Sequence, residues 1–158
     1  MDDNTDMDRI VVGVDGSASS IAALRYGARM ADAFDAPLEA VTVWTYPAFA
    51  DPAVTNDWSP ERDAAEILDD AIEKAFAGDP PEGITRTALA GPPARLLIEM
   101  SENCGMLVLG SRGRGGFVGL LLGSVSATCA EHAHCPVVVV HGRGGGEPAD
   151  TPADTLAG

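Results

Sequence analysis

The chain is short of lysine, of cysteine and of long apolar runs, and each shortage narrows the field. Lys74 is the one lysine among ten cationic residues, set against 24 acidic ones, for a formal charge of −14. A field of that sign repels nucleic-acid phosphates and anionic membrane surfaces, so neither is expected as a partner. Lysine depletion beside acid excess resembles surfaces adapted to high salt, where the Debye length shrinks to about 3 Å at 1 M and self-repulsion becomes tolerable. A halophilic protein is the expectation. Cysteines number three, Cys104, Cys129 and Cys135, with no C-x-x-C spacing. That pattern argues against a disulfide framework and a zinc site, and leaves free thiols in or near the core. The strongest apolar stretches, Phe117 to Leu122 and Val137 to Val140, fall far below the ~18 residues of a membrane span. Met1 to Asp8 is acidic where an export signal would be basic, so a soluble cytoplasmic protein is expected.

What is present reads as one α/β domain. The 158 residues suit a single domain, and 46% apolar content can fill its core. Residues 1–8 read as a disordered acidic arm, 9–141 as the domain, and 142–158, rich in Gly, Pro and Asp, as a disordered tail. Arg9 to Val14 is a continuous apolar run ending at Asp15-Gly16-Ser17, a strand followed by a turn or helix cap. Ser19 to Phe34 sets Ile21, Leu24, Ala28 and Ala31 on one helical face. Leu38 to Thr45 is a second strand, and residues 46–59, with Pro47, Asp51, Pro52 and Asp57, a long loop. Ser59-Pro60-Glu61 then opens a helix with cap, proline and acid where each is favoured, running to about Ala77. Ile84 to Leu89 is a third strand. Pro92-Pro93 opens a helix through about Asn103, and Met106 to Leu109 is a fourth strand. Ser124 to His134 is a helix, and Pro136 to Val140 the last strand. Five strands alternating with four helices imply βαβ crossovers and a mostly parallel sheet, buried on both faces as VVGV, MLVL and VVVV suggest.

The chemistry lies in Gly110 to Ser124, GSRGRGGFVGLLLGS, between a strand and a helix. Glycines there permit positive φ and let backbone amides approach an anion unobstructed. The helix N-terminus adds unpaired N–H groups and a positive dipole end. Ser124 can cap that helix or donate its hydroxyl to a phosphate. Arg112 and Arg114 place two of ten cations in this segment, and charge-assisted hydrogen bonds to phosphate are worth about 1.5–3 kcal/mol each when shielded from water. Glycine-rich loops also join strands to helices with no ligand at all. There is no Walker lysine and no dinucleotide fingerprint after the first strand. The lesser alternative for Asp15 is a cap of the first helix. His132 and His134, beside Cys135, read as a solvated helix end rather than metal ligands.

The spacing Gly110-x2-Gly113-x9-Gly123-Ser124 resembles the ATP-binding signature of the universal stress protein family. RIVVGVDGS near the start, GPPARLLI at Gly91 to Ile98 and HCPVVVV at His134 to Val140 extend the resemblance over roughly Arg9 to His141. It implies an open, doubly wound, Rossmann-like five-stranded sheet of order 3-2-1-4-5, whose switch point lies between the first and fourth strands, where such sheets bind ligands. It further implies ATP, with magnesium, as the ligand. By the same resemblance Asp15 contacts ribose and the adenine region, while Val14 and Val43 line the adenine pocket, Val43 through backbone hydrogen bonds. Leu109 and Gly110 meet base and ribose. Gly113, Gly123, Ser124 and Val125 hold phosphates, and Ser126 assists. Arg112 is added from charge alone. Gly105-Met106 stands where the family commonly carries an acid before the fourth strand, a matter of packing rather than of the site.

Gly110 to Val125 holds no Asp, Glu or His to position a water at the γ-phosphate. A nucleotide-dependent sensor or regulatory module in stress response is therefore expected. The alternatives are a slow ATP hydrolase or nucleotidyl transferase using Asp51 or Asp57, and a nucleotide-free dimeric scaffold. Dimerisation through the last strand, Val137, Val138, Val139 and Val140, is the family's habit, and a bare uncharged edge would otherwise invite aggregation.

Overall fold

A computed structural model describes residues 7–45, 59–112 and 122–142. Its elements run β1 (Ile10–Gly13), α1 (Ala18–Phe34), β2 (Leu38–Trp44), α2 (Pro60–Phe76), β3 (Thr85–Ala90), α3 (Pro93–Met100), a 3-10 turn (Ser101–Asn103), β4 (Met106–Gly110), α4 (Ser124–His132) and β5 (Val137–Val140). The strands form one sheet of order β3-β2-β1-β4-β5, every pairing parallel, with Ile10 opposite Leu38 on one side and Met106 on the other.

Side chains alternate between the two faces of the central strands, as a period of two requires. Ile10, Val12, Ala40 and Val108 pack beneath Leu24 and Ala31 of α1 and Leu68 and Ile72 of α2. Val11, Val41, Leu107 and Leu109 pack on the opposite face with Leu97 of α3 and Cys129 of α4. Each wholly buried side chain such as Leu24 or Leu107 contributes roughly 1.5–3 kcal/mol relative to exposure. Gly27 lets α1 lie close on β1, since a Cβ there would stand 2.5 Å from Val12 Cγ2.

Local signals account for most helix ends. Ser17 caps α1, its hydroxyl accepting from Ser20 N at 3.2 Å. Ser59 caps α2 in the same way through Arg62 N, with Pro60, Glu61 and Asp63 in the first turn and Lys74 in the last. The other end of α2 is tied to α1: the Arg25 guanidinium donates to Ala75 O at 3.0 Å and Lys74 O at 3.1 Å.

Four expectations need correction. The helix expected through Asn103 is α-helical only to Met100. The one expected through His134 ends at His132. At the end of α4 the hydroxyl of buried Ser101 accepts the His134 amide at 2.8 Å, so that amide leaves the helix and the chain turns toward β5. The third concerns VVVV, expected to be buried on both faces. Every residue of β5 is only part-buried, because β5 is the edge strand and β4 is its one neighbour in the sheet. Met7 and Asp8, expected to end the acidic arm, form a helical turn against Gly105, where a Cβ would come within 2.8 Å of Met7 O. That close approach explains glycine at 105.

Candidate functional site

β1 and β4 are neighbours, yet the chain leaves β1 toward β2 on one side and enters β4 from the other. Their carboxyl ends therefore flank the crevice at which the strand order reverses. Asp15 follows one of these ends and Gly110 closes the other.

Asp15 does not cap α1; Ser17 does. The Asp15 carboxylate instead folds the turn, its Oδ1 accepting from Ser17 N at 2.9 Å, while its own amide donates to Ser20 Oγ at 3.4 Å. Asp15 is part-buried and opens onto a pocket of about 250 Å³ lined by Thr42, Val43, Trp44 and, from α2, Pro60, Asp63, Ala64 and Ile67. Backbone alternation fixes what Val43 presents there. Val14 N donates to Val41 O at 2.7 Å, so Val41 faces β1. Val43, two residues further, points its amide and carbonyl the same way, past the last paired residue of β1 and into the pocket. The side chains of Val14 and Leu109 are 4% and 3% exposed and belong to the core; the Val14 amide is held by Val41 O, and Leu109 pairs with Val139 of β5.

The glycine-rich segment is anchored at both ends. At its start the Ser19 hydroxyl donates to Arg112 O at 2.6 Å and the Ser17 hydroxyl to the same oxygen at 3.2 Å; Arg112 N returns a bond to Ser19 Oγ at 3.3 Å. The first turn of α1 is thereby stitched to the residue that follows Gly110-Ser111. Gly110 is glycine for that reason: a Cβ would collide with Ser19 Oγ and come within 2.7 Å of Ser19 C and Ser20 N. At the far end Gly123 N donates to Ser111 O at 2.6 Å and Ser126 Oγ reaches the same carbonyl at 3.1 Å. Ser126 is 3% exposed and also lies 3.2 Å from Gly123 O, so its single proton is spent closing the loop. Gly113 and Arg114 lie outside the described residues, as does the loop 46–58 with Asp51, Asp57 and Trp58.

Gly123, not Ser124, is the N-cap of α4, with no side-chain cap hydrogen bond. α1 and α2 both begin on a serine hydroxyl. Among the described residues no side chain caps the first-turn amides of α4, and Ser124, the first helical residue, is exposed. Val125 turns its side chain toward the core, leaving its amide in that first turn. An uncapped helix start beside a glycine-rich segment suits an anion. Among the described residues no three His, Cys, Asp or Glu side chains are grouped so as to hold a metal ion.

Comparison with known proteins agrees with this geometry. The model of the Universal stress protein family matches residues 7–141. The chain belongs to that family. Universal stress protein Rv2623 of Mycobacterium tuberculosis is 36% identical over 132 residues, which is 82% of this chain but 44% of that relative's length. The chain thus spans under half of that curated relative. A universal stress protein whose crystal structure was solved in complex with cAMP superposes with a TM-score of 0.64 at 27% identity, covering 87% of this chain and 99% of the other. A family protein of Arabidopsis thaliana, solved with AMP bound, gives a TM-score of 0.56 at 21% identity, covering 92% and 98%, and speaks to the fold alone.

Thr42, Ser111 and the α2 wall of the pocket were given no site role from the sequence, and Ser17 and Ser19 were read only as the turn and the start of the first helix. A faint signal existed for one of them: Ser111 adjoins Gly110 at the strand end. None existed for α2, which is separated from β2 by residues 45–59.

Proposed function

We propose that this universal stress protein is an adenine-nucleotide-binding regulatory module, with ATP as ligand and magnesium accompanying it. The observation that carries the reading is the pocket at the carboxyl edge of β1 and β2, lined by Asp15 and Val43 and lying beside the switch point. Its volume of about 250 Å³ sits just below the ~300 Å³ at which drug-sized ligand sites begin, which suits a purine base but not a whole nucleotide. Ribose and phosphates then extend toward Gly110 and the start of α4. In this reading Val43 hydrogen-bonds the base through its backbone and the Asp15 carboxylate accepts from ribose hydroxyls. The amides of Gly123, Ser124 and Val125 take the phosphates, with Gly113 and Arg112 contributing from the intervening segment. Ser126 acts by holding that segment closed. The cAMP complex of a 27% identical relative supports an adenine nucleotide as the ligand class. Magnesium would be held by phosphate oxygens, waters and the Ser124 hydroxyl, and would neutralise phosphate charge.

Turnover is not part of the proposal. Asp15 belongs at the ribose in this arrangement, and no acid or His lies between Gly110 and Val125 to position a water. A homodimer through β5 is part of it: Val137 to Val140 form an uncharged, half-exposed edge of the kind that invites strand pairing. Light scattering that reports monomer across a concentration series would remove the dimer from this reading.

The experiment is to denature fresh protein, identify any released nucleotide by mass spectrometry, and titrate ATP into the stripped protein and into Gly123→Val at high salt. Adenine nucleotide released, or micromolar ATP binding lost in a variant that still folds, supports the reading. No nucleotide and no binding would mean that the glycine segment is retained for shape, and a scaffold function would replace it.

A further inference from the structure

Outside the nucleotide site, the most reactive side chains that the fold brings together are two thiols. Cys104 Sγ and Cys135 Sγ are 3.8 Å apart although 31 positions separate them in sequence. Cys104 lies between the 3-10 turn and β4, Cys135 between α4 and β5, so the parallel pairing of β4 with β5 is what makes them neighbours. Both occupy short connecting stretches rather than the interior of a helix or strand, where side-chain rotation and small backbone shifts are least restrained. A disulfide needs a separation of about 2 Å, so the sulfurs must close by roughly 1.8 Å. Neither is held by a strong bond: Cys104 Sγ points to Met106 O at 3.6 Å and Cys135 Sγ to Pro136 O at 3.4 Å. Cys104 is buried and Cys135 part-exposed, so an oxidant reaches Cys135 first.

We propose that Cys104 and Cys135 form an oxidation site, which a peroxide converts into an intramolecular disulfide. The Cys135 sulfur attacks one peroxide oxygen, giving a sulfenic acid and releasing water (or an alcohol from an organic peroxide). The Cys104 sulfur then displaces hydroxide from the sulfenic sulfur, and that hydroxide leaves as water with the Cys104 proton. Two thiols are oxidised by two electrons and one peroxide is reduced. Burial pushes the Cys135 thiol up to about 12 and raises that of Cys104, so both are protonated at neutral pH. The reaction is therefore slow, a response to sustained oxidant rather than the turnover of a peroxidase. Cys129 stays outside it: it is wholly buried on α4, with Ala94 O 3.9 Å away. The resulting ring encloses β4, the glycine-rich segment and α4, closing the phosphate-binding unit at the end of the sheet opposite the nucleotide.

The test exposes the full, folded chain to excess hydrogen peroxide over hours, quenches it, and alkylates the remaining thiols under denaturing conditions. The expected outcome is a fall from three alkylated thiols to one, with intact mass lower by two hydrogens before alkylation. Cleavage after Arg112 and Arg114 separates Cys104 from Cys129, and cleavage after Glu131 separates Cys129 from Cys135, so the crosslinked peptides can be assigned to Cys104 and Cys135. Cys129→Ala keeps the crosslink, Cys135→Ser loses it, and the same treatment in denaturing urea yields mixed pairings. The oxidised chain should also unfold at a higher temperature, because the ring restricts the unfolded state. Three free thiols after treatment, sulfinic acid at Cys135 without a crosslink, a bridge to Cys129, or disulfides between chains would each overturn the proposal.

Discussion

Replacing Ser19 by alanine tests the stitch between the first turn of α1 and the start of the glycine segment. The hydroxyl is in a residue 7% exposed and makes two bonds to one partner, donating to Arg112 O at 2.6 Å and accepting from Arg112 N at 3.3 Å. Arg112 O keeps the Ser17 hydroxyl at 3.2 Å, and Arg112 is exposed, so water can replace part of what is lost. The cost therefore falls at about 1 kcal/mol, the middle of the range for a neutral hydrogen bond, or roughly a fivefold change in the folded-to-unfolded ratio. Ser17→Ala removes the second donor together with the α1 cap, so it costs about 1–2 kcal/mol alone. In combination the two leave Arg112 O with neither hydroxyl, and the double variant should lose about 0.5–1 kcal/mol beyond the sum. Urea unfolding followed by far-UV circular dichroism measures all three, with an unchanged m-value as the sign that only stability moved. If the proposed function holds, nucleotide affinity should fall several-fold in Ser19→Ala, since Arg112 opens the segment assigned there to the phosphates. A Ser19→Ala cost below ~0.3 kcal/mol, or strict additivity with Ser17→Ala, would show that the stitch is incidental.

Arg25→Ala is the matching control: it removes two bonds to the last carbonyls of α2, should cost about 1 kcal/mol, and should leave nucleotide affinity unchanged, as isothermal titration would show. Stability should fall as pH rises above about 9, because thiols of the unfolded chain ionise there while burial holds Cys129 protonated to about 11 and Cys135 to about 12. The native state then binds more protons than the unfolded one. Urea midpoints that do not decline between pH 9 and 11, or that decline equally in Cys129→Ala/Cys135→Ser, would contradict this. ATP adds about four negative charges to a protein of net −14, so affinity should hold or rise toward molar salt, whereas a steep fall with added salt would refute that electrostatic argument.

The fold class was legible because the signals that carry it are local. Apolar runs of strand length, amphipathic stretches, Ser59-Pro60-Glu61 and the Gly/Ser spacing each act over a few residues, and the resemblance built on them implied the strand order that the sheet displays. Asp15 and Gly110 were picked out because both end apolar strands, although the reason for glycine at 110 was not the expected one. It is the close approach of α1, not of an anion. What the tertiary structure alone decided has a common physical cause. Placing β4 beside β1 brings Arg112 onto Ser17 and Ser19, 95 and 93 residues away in sequence. Placing β5 beside β4 brings Cys135 onto Cys104 and leaves four valines on an edge. Packing α2 over β2 supplies half the pocket wall. A serine, cysteine or valine carries no mark of which distant group it will meet. Which residues form strands is written in the chain's periodicity, but which strands become neighbours is settled only when both faces of the sheet are buried at once.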